Sequence, residues 1–479
     1  MNGKYGEWQK TIAFLYLLVI LTFLPIYMKD GLAMLGDAKY VLYRNASMIL
    51  LPLWLIGELA ALLLRRGRQR ELLCGGFSAT DFFAVCFAAV SCLSYLFSAY
   101  KETAFWGYSG WYMGLFTQLS LTAGYFLVSR WYEEERFLSA CVWISAFAVC
   151  LIGVLNRTGG DPLHVYTDMA WWEWNRRNLL STIGNINWFC SYLSVTVPFL
   201  LYCFWAGKGW RRAVWGIGAF VGGAALILQG SSSGYAALAV MLAMLFFSSL
   251  DHPAVFLRFL ETVMLLSLFG FLMWLFRIGL ILPHDVEYRY TPAWGAVLLV
   301  CGGIWGLLRM MCIRKKTDFW EGGRIRKVAM WAAGILLITG AVVFAGCQVS
   351  DALWNVFGKH RVLRFDSEWG SMRGQLWAVA WRGFWEGGLG RWLYGVGPDC
   401  FACYFYGNYP MDIMVSGQWQ DAVYANAHNE WLNMLINEGI MGLTAYLGFF
   451  LSALGRFWAW RRKNRILTVG VMAVAAYGV

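Results

Sequence analysis

Charge is scarce in this chain: only 14% of its 479 residues are Asp, Glu, Lys or Arg, and 59% are hydrophobic. Soluble domains carry about 25% charged residues. With a mean hydropathy of +0.52, the composition excludes a soluble globular domain and reads as an integral membrane protein. Motifs of soluble chemistry are missing as well. There is no nucleotide-phosphate loop, no Gly-rich dinucleotide turn, no paired Cys-x-x-Cys metal site and no serine-hydrolase elbow. Most of the twelve cysteines lie within apolar runs, where a thiol behaves as a small hydrophobe, so they form no disulfide framework. Cys400 and Cys403 are spaced like half of a metal site, but no second pair follows. They read as packed thiols, with a disulfide on the outer side as the alternative.

What the chain does have is apolar runs long enough to cross a hydrocarbon core of about 30 Å. They predict twelve or thirteen helices, at roughly 11–28, 46–64, 79–98, 113–129, 137–154, 185–204, 213–229, 233–249, 257–282, 292–312, 328–347 and 431–455, with a last run from Ile466 that stops short at Val479. That last run reads as a helix cut by the chain end. The first run is not a cleavable signal peptide, because no small-residue cleavage site follows it and Pro25 to Asp30 leads straight on.

The net charge of +11 is a topology signal. Basic clusters at Arg65 to Arg70, Lys208 to Arg212, Arg314 to Lys327 and Arg461 to Arg465 fall on one side when the helices alternate. The bias of Lys and Arg toward cytoplasmic loops makes that side, with the N-terminus, the cytoplasm, and nucleic acid is excluded as a partner. The outer loops are then 29–45, 99–112, 155–184, 229–232, 283–291 and, largest, 348–430. The last has amphipathic helical spacing from Ser371 to Trp385 and predicts a helical cap against the outer leaflet. Its Trp and Tyr residues suit an interfacial belt or stacking on sugar rings. The chain divides into N-terminal helices (1–180), a transmembrane core (181–347), the large outer loop (348–430) and C-terminal helices (431–479). No nucleotide-sugar pool exists outside the cytoplasm. A sugar-transferring enzyme there needs a lipid-linked, pre-activated donor.

The stretch 427–442, AHNEWLNMLINEGIMG, puts His428 where a polar loop enters an apolar helix, reachable from water on one side and from lipid on the other. A helix beginning near Asn426 turns its first amides toward the imidazole and favours its neutral, proton-accepting form. A helix-capping or interfacial histidine is the plain alternative. Three outer segments read together with it. They are Gly184-Asn185-Ile186-Asn187, then Gln229 to Tyr235 with Ser232 and Ser233, and third the series Ser371-Met372-Arg373, Trp377, Gly395-Val396-Gly397-Pro398-Asp399 and Ala427-His428-Asn429-Glu430.

In that order, with the large loop between late helices, the segments resemble the O-antigen ligase and polymerase family of bacterial membrane glycosyltransferases over roughly residues 180–455. The resemblance implies an all-α polytopic fold similar to the C-type glycosyltransferases. It also implies a metal-independent transferase without cofactor, taking glycan from an undecaprenyl-diphosphate-linked donor to an acceptor hydroxyl of a glycan or lipid, with membrane lipid around it. His428 matches the family histidine, implied to act as general base or to orient the acceptor. Arg373 matches an arginine implied to bind the donor diphosphate, for which a guanidinium fork is suited.

One departure concerns the start of the eighth helix, where many members have an arginine and this chain has Ser233. Free helix amides with Ser232 and Ser233 can substitute for it, or Arg277, which otherwise snorkels to the interface. Lys359, Arg361 and Arg364 are further candidates. Without the family, Arg373 reads as a surface charge, Gly395 and Gly397 as turn glycines, and Asn185 and Asn187 as helix caps. Asp366, Glu368, Asp399 and Glu430 read as loop ion-pair partners or as alternative acids and bases. A transporter or flippase of lipid-linked oligosaccharide is the competing function. It calls for ionisable or helix-breaking residues at matched midplane positions of two repeats, and no such repeat is visible.

Overall fold

The computed structural model describes residues 2–29, 31–32, 34–64, 76–166, 176–276, 278–281, 292–314, 320–409 and 424–478. Backbone polar groups find no water inside a bilayer, so long apolar runs close their own hydrogen bonds as helices. The N-terminal series is α1 (Asn2–Leu18, continued by a π turn at Val19–Phe23 and by Leu24–Ile26), α2 (Leu35–Leu64), α3 (Ala79–Phe97), α4 (Lys101–Trp106), α5 (Leu115–Trp131) and α6 (Arg136–Arg157). Then come α7 (Ile186–Ala206), α8 (Gly209–Leu228), α9 (Ser232–Ser249), α10 (Pro253–Phe276), α11 (Ala293–Ile313) and α12 (Gly322–Val349). Short helices α13 (Asp351–Val356), α14 (Trp369–Glu386), α15 (Gly388–Tyr394) and α16 (Phe401–Asn408) precede α17 (Glu430–Trp460) and α18 (Leu467–Tyr477).

Eleven of the described helices are long and apolar enough to cross a membrane: α1 to α3, α6 to α12, and α17. The protein is an all-α, multi-pass membrane protein. The expected spans at 113–129 and from Ile466 are helical, as α5 and α18, with 17 and 11 residues; the first is at the lower limit of a span, and the second reaches only about 17 Å, short of a hydrocarbon core. The amphipathic spacing from Ser371 to Trp385 corresponds to α14.

Two compact units make up the chain: Met1–Gln9, Ser47–Tyr132 and Trp331–Ser452 form one, and Lys10–Ala46, Glu133–Met330 and Ala453–Val479 the other. In the second unit, α6 to α9 and α18 share a core around Phe189, Leu193, Val197, Leu200, Ala225 and Met241. Glycines allow this close approach. A Cβ at Gly222 would lie 2.8 Å from Leu200, and one at Gly223 would lie 2.1 Å from Leu266. Helices in lipid associate by such backbone proximity rather than by burying apolar surface from water. A two-stranded hairpin, β1 (Leu179–Leu180) and β2 (Gly184–Asn185), pairs Leu180 with Gly184 and leads into α7.

In the first unit, α3 starts at a capping box. Ser78 Oγ accepts from Asp81 N, and Asp81 Oδ2 accepts from Ser78 N at 2.7 Å. Buried Asp81 also meets Arg130 at 2.9 Å and accepts from Tyr125 Oη at 2.8 Å, which fixes α5 against α3. A second core joins α14, α16 and α17 through Leu376, Ala380, Phe384, Phe401, Phe405 and Ile436.

The predicted single span 431–455 is broken. Gly439 has φ 70 and ψ −172, a conformation essentially confined to glycine. The break takes the carbonyls of Ile436 and Asn437 out of the helical ladder, and the segment after α15 supplies replacement donors. Val396 N donates to Ile436 O and Gly397 N to Asn437 O, both at 3.0 Å, while Ser94 Oγ donates to Asn437 O at 2.9 Å.

Candidate functional site

The site is built from the chain around the start of α17. Asn429 is its cap: Oδ1 accepts from Leu432 N at 3.0 Å, and its carbonyl accepts from Asn433 N at 2.8 Å. The helix therefore begins at Glu430 rather than near Asn426, and His428 lies just outside it with φ 47. Asn426 Oδ1 accepts from His428 N at 2.8 Å and holds this left-handed turn, while Trp377 Nε1 on α14 donates to Ala427 O at 2.9 Å.

That last bond brings α14, and with it Arg373, to the histidine. The expected helix-amide effect on His428 is replaced by two others. Burial, and then the positive charge of Arg373, push the imidazole down to about 4, so it is neutral at pH 7. The side chain is nonetheless exposed at its own surface. Arg373 is half-buried, and burial holds its guanidinium below the usual range. Among the described residues it has no carboxylate partner and no hydrogen bond. Trp377 packs against Trp369 at 5.2 Å and Phe365 at 6.2 Å, which places an aromatic surface on α14 beside the arginine.

Glu430 Oε1 accepts from Tyr446 Oη at 3.1 Å. Asp399, in a left-handed turn at φ 56, is buried and accepts from Tyr108 N at 2.8 Å and Met113 N at 2.9 Å. Burial raises its carboxyl to about 7, the two backbone donors oppose the rise, and Glu430 adds to it. The geometry makes Asp399 the anchor of the 108–113 loop. Gly395 and Gly397 are packing positions. A Cβ on Gly395 would lie 2.3 Å from the Asn437 backbone, and one on Gly397 would lie 2.3 Å from Ser98 Oγ. Cys400 and Cys403 are free thiols, near Ser98 and Thr103 respectively.

The second unit holds the other expected residues. Asn185 caps α7 by accepting from Asn187 N at 2.8 Å, and Asn187 Oδ1 accepts from Ser231 Oγ at 2.9 Å. The first turn of α9 has no side-chain cap, and Ser232 is exposed there with Ser233 half-buried beside it. Arg277 lies outside the described residues. Arg364 is paired with Asp351 and stacks on Trp354.

Two residues escaped the sequence reading. Arg157 is fully buried at the end of α6 and donates to four carbonyls: Leu228 at 2.9, Arg177 at 2.9, Ile281 at 2.8 and Gln229 at 2.6 Å. It staples the turn that launches α9 and places a fixed positive charge beneath it. Glu438 is fully buried next to the α17 break. Its Oε2 accepts from Ser91 Oγ at 2.8 Å, while Oε1 meets no hydrogen-bond geometry among the described residues, the Gln118 side chain being its other polar neighbour. An acidic residue inside an apolar run was its only signal in the sequence.

Compared with known proteins, the chain matches no family model and no curated protein. The fold defines it as a polytopic helical membrane protein.

Proposed function

We propose that this protein is a membrane glycosyltransferase of the O-antigen ligase and polymerase kind, with a fold similar to the C-type glycosyltransferases. It transfers or polymerises glycan from an undecaprenyl-diphosphate-linked donor onto an acceptor hydroxyl outside the plasma membrane. The observation that carries the reading is the proximity of neutral, exposed His428 to Arg373, whose donors no acid among the described residues occupies. In the proposed step His428 takes the proton from the acceptor hydroxyl. The acceptor oxygen then bonds to the anomeric carbon, and the bond from that carbon to the diphosphate oxygen breaks. The leaving oxygen keeps the electron pair, and Arg373 stabilises it.

A diphosphate at Arg373 would offset the smaller of the two causes that hold His428 low, the larger, burial, remaining. The aromatic surface of Trp369 and Trp377 suits stacking on sugar rings. The uncapped start of α9, above Arg157, suits an anionic group.

Glycan profiling tests this in cells lacking the protein and complemented with wild type, His428→Ala or Arg373→Ala at matched expression. The proposal expects lipid-linked glycan, untransferred or unpolymerised, on the outer leaflet, rescued by wild type alone. Full rescue by His428→Ala removes it as the base. One observation favours a transporter or flippase instead: Glu438, a buried carboxyl beside a broken span, is the kind of residue transporters use. Glycan trapped on the inner leaflet would select that reading.

A further inference from the structure

The second unit contains a recess of about 400 Å³ that the proposed reaction does not use. It is lined by Trp205, Ser248, His252, Arg461, Arg462 and Arg465, with Asp251 as its carboxylate. Each comes from the end of a helix: Trp205 closes α7, Ser248 closes α9, His252 precedes α10, and the arginines lie between α17 and α18. Four candidate spans thus end around one cavity, at the level where hydrocarbon gives way to head groups.

The lining is rich in donors and poor in acceptors. Asp251 is already shared between Arg326 at 2.5 Å and Arg462 at 3.2 Å. Arg461 is buried and stacks on Trp458 at 3.4 Å. Burial and then the neighbouring Arg462 hold its guanidinium below the usual range, while Asp251 opposes the fall. Arg465 has no hydrogen-bond or ion-pair partner for its side chain among the described residues. Two neutral groups point the same way. Among the described residues Trp205 Nε1 and Ser248 Oγ are buried without a hydrogen-bond partner, and Trp205 is only 7% exposed. Buried donors are ordinarily satisfied, so two orphans in the wall of one basic cavity call for an acceptor.

We propose that this recess binds the phosphate of an anionic phospholipid head group. A tetrahedral phosphate offers several acceptor oxygens to guanidinium forks, an indole N–H and a hydroxyl at once, and basic pockets between span ends are where anionic head groups are held. Free phosphate shares the chemistry, but the placement at the span ends selects the lipid. The assignment is independent of the transferase reading.

The test uses the full chain, purified and delipidated in detergent. Native mass spectrometry follows retention of added cardiolipin, phosphatidylglycerol or phosphatidylcholine, and calorimetry follows inorganic phosphate. Anionic lipids are expected to outlast phosphatidylcholine. Arg465→Gln is expected to weaken their retention about tenfold, the size of one charge-assisted hydrogen bond. Trp205→Phe, which removes only the N–H, should weaken it in the same direction with the melting temperature of the lipid-free protein unchanged. Equal retention of phosphatidylcholine, or anionic retention indifferent to both substitutions, overturns the site. Binding of inorganic phosphate without anionic lipid overturns the lipid as its source.

Discussion

Gly397 N donates to Asn437 O at 3.0 Å, so the Gly-x-Gly segment replaces a helical turn that α17 gives up at Gly439. The close approach leaves no room for side chains on either partner, since a Cβ on Gly439 would lie 2.4 Å from the Leu393 backbone. Gly395→Ala and Gly439→Ala should each destabilise the protein by about 3 kcal/mol or more, because a backbone clash adds to a conformation that only glycine adopts readily. Gly390→Ala, in open space on α15, is the control and should be neutral or slightly stabilising. Melting in detergent compares the three, and equal melting temperatures would refute the packing account.

The neutral state of His428 ties stability to pH. Its value is near 6.5 in the unfolded chain and about 4 in the folded protein. Between these the unfolded chain binds the additional proton, so this contribution is complete above about 6.5 and is lost as pH falls toward 4. His428→Asn should flatten the melting curve over that interval and leave it unchanged near pH 8.

Arg373→Gln removes the second cause of the depressed histidine value while burial, the first, remains. The acid limb of the pH dependence of transfer by the free enzyme should therefore move upward from about 4 toward 6.5, together with a loss of donor binding. A limb that stays in place, measured by transfer of lipid-linked glycan in vitro, would separate the two side chains.

Glu438 distinguishes the two functional readings. Glu438→Gln keeps the shape and the bond to Ser91, and a transferase should retain most of its activity with it. A transporter that loads a proton or cation there should lose function. Outer-leaflet glycan counted in complemented cells decides between them.

Arg157 serves four carbonyls on separate segments with one planar fork. Arg157→Met leaves them without those donors, at about 1–3 kcal/mol for each group that finds no other partner. Arg157→Lys cannot span the same geometry. Both should sharply reduce the yield of folded protein in the membrane, whereas Arg211→Gln on the exposed start of α8 should not.

By itself, the sequence determined the helices, because a bilayer admits little else for long apolar runs, and period and length are local properties. Spacing also marked α14 as amphipathic, while Arg373 and His428 stood out only through the family resemblance, since alone Arg373 reads as a surface charge. Only the tertiary structure decided what surrounds them. The break at Gly439 exists because Val396 and Gly397 are there to satisfy the abandoned carbonyls, a contact some forty residues away along the chain. The depression of His428 comes from burial and then from Arg373 on another helix rather than from amides of its own, because α17 starts four residues later than its pattern suggests. Arg157 and Glu438 look in sequence like stray charges in apolar runs. Their partners lie on distant segments, and a buried charge acquires meaning only from the groups that fold around it.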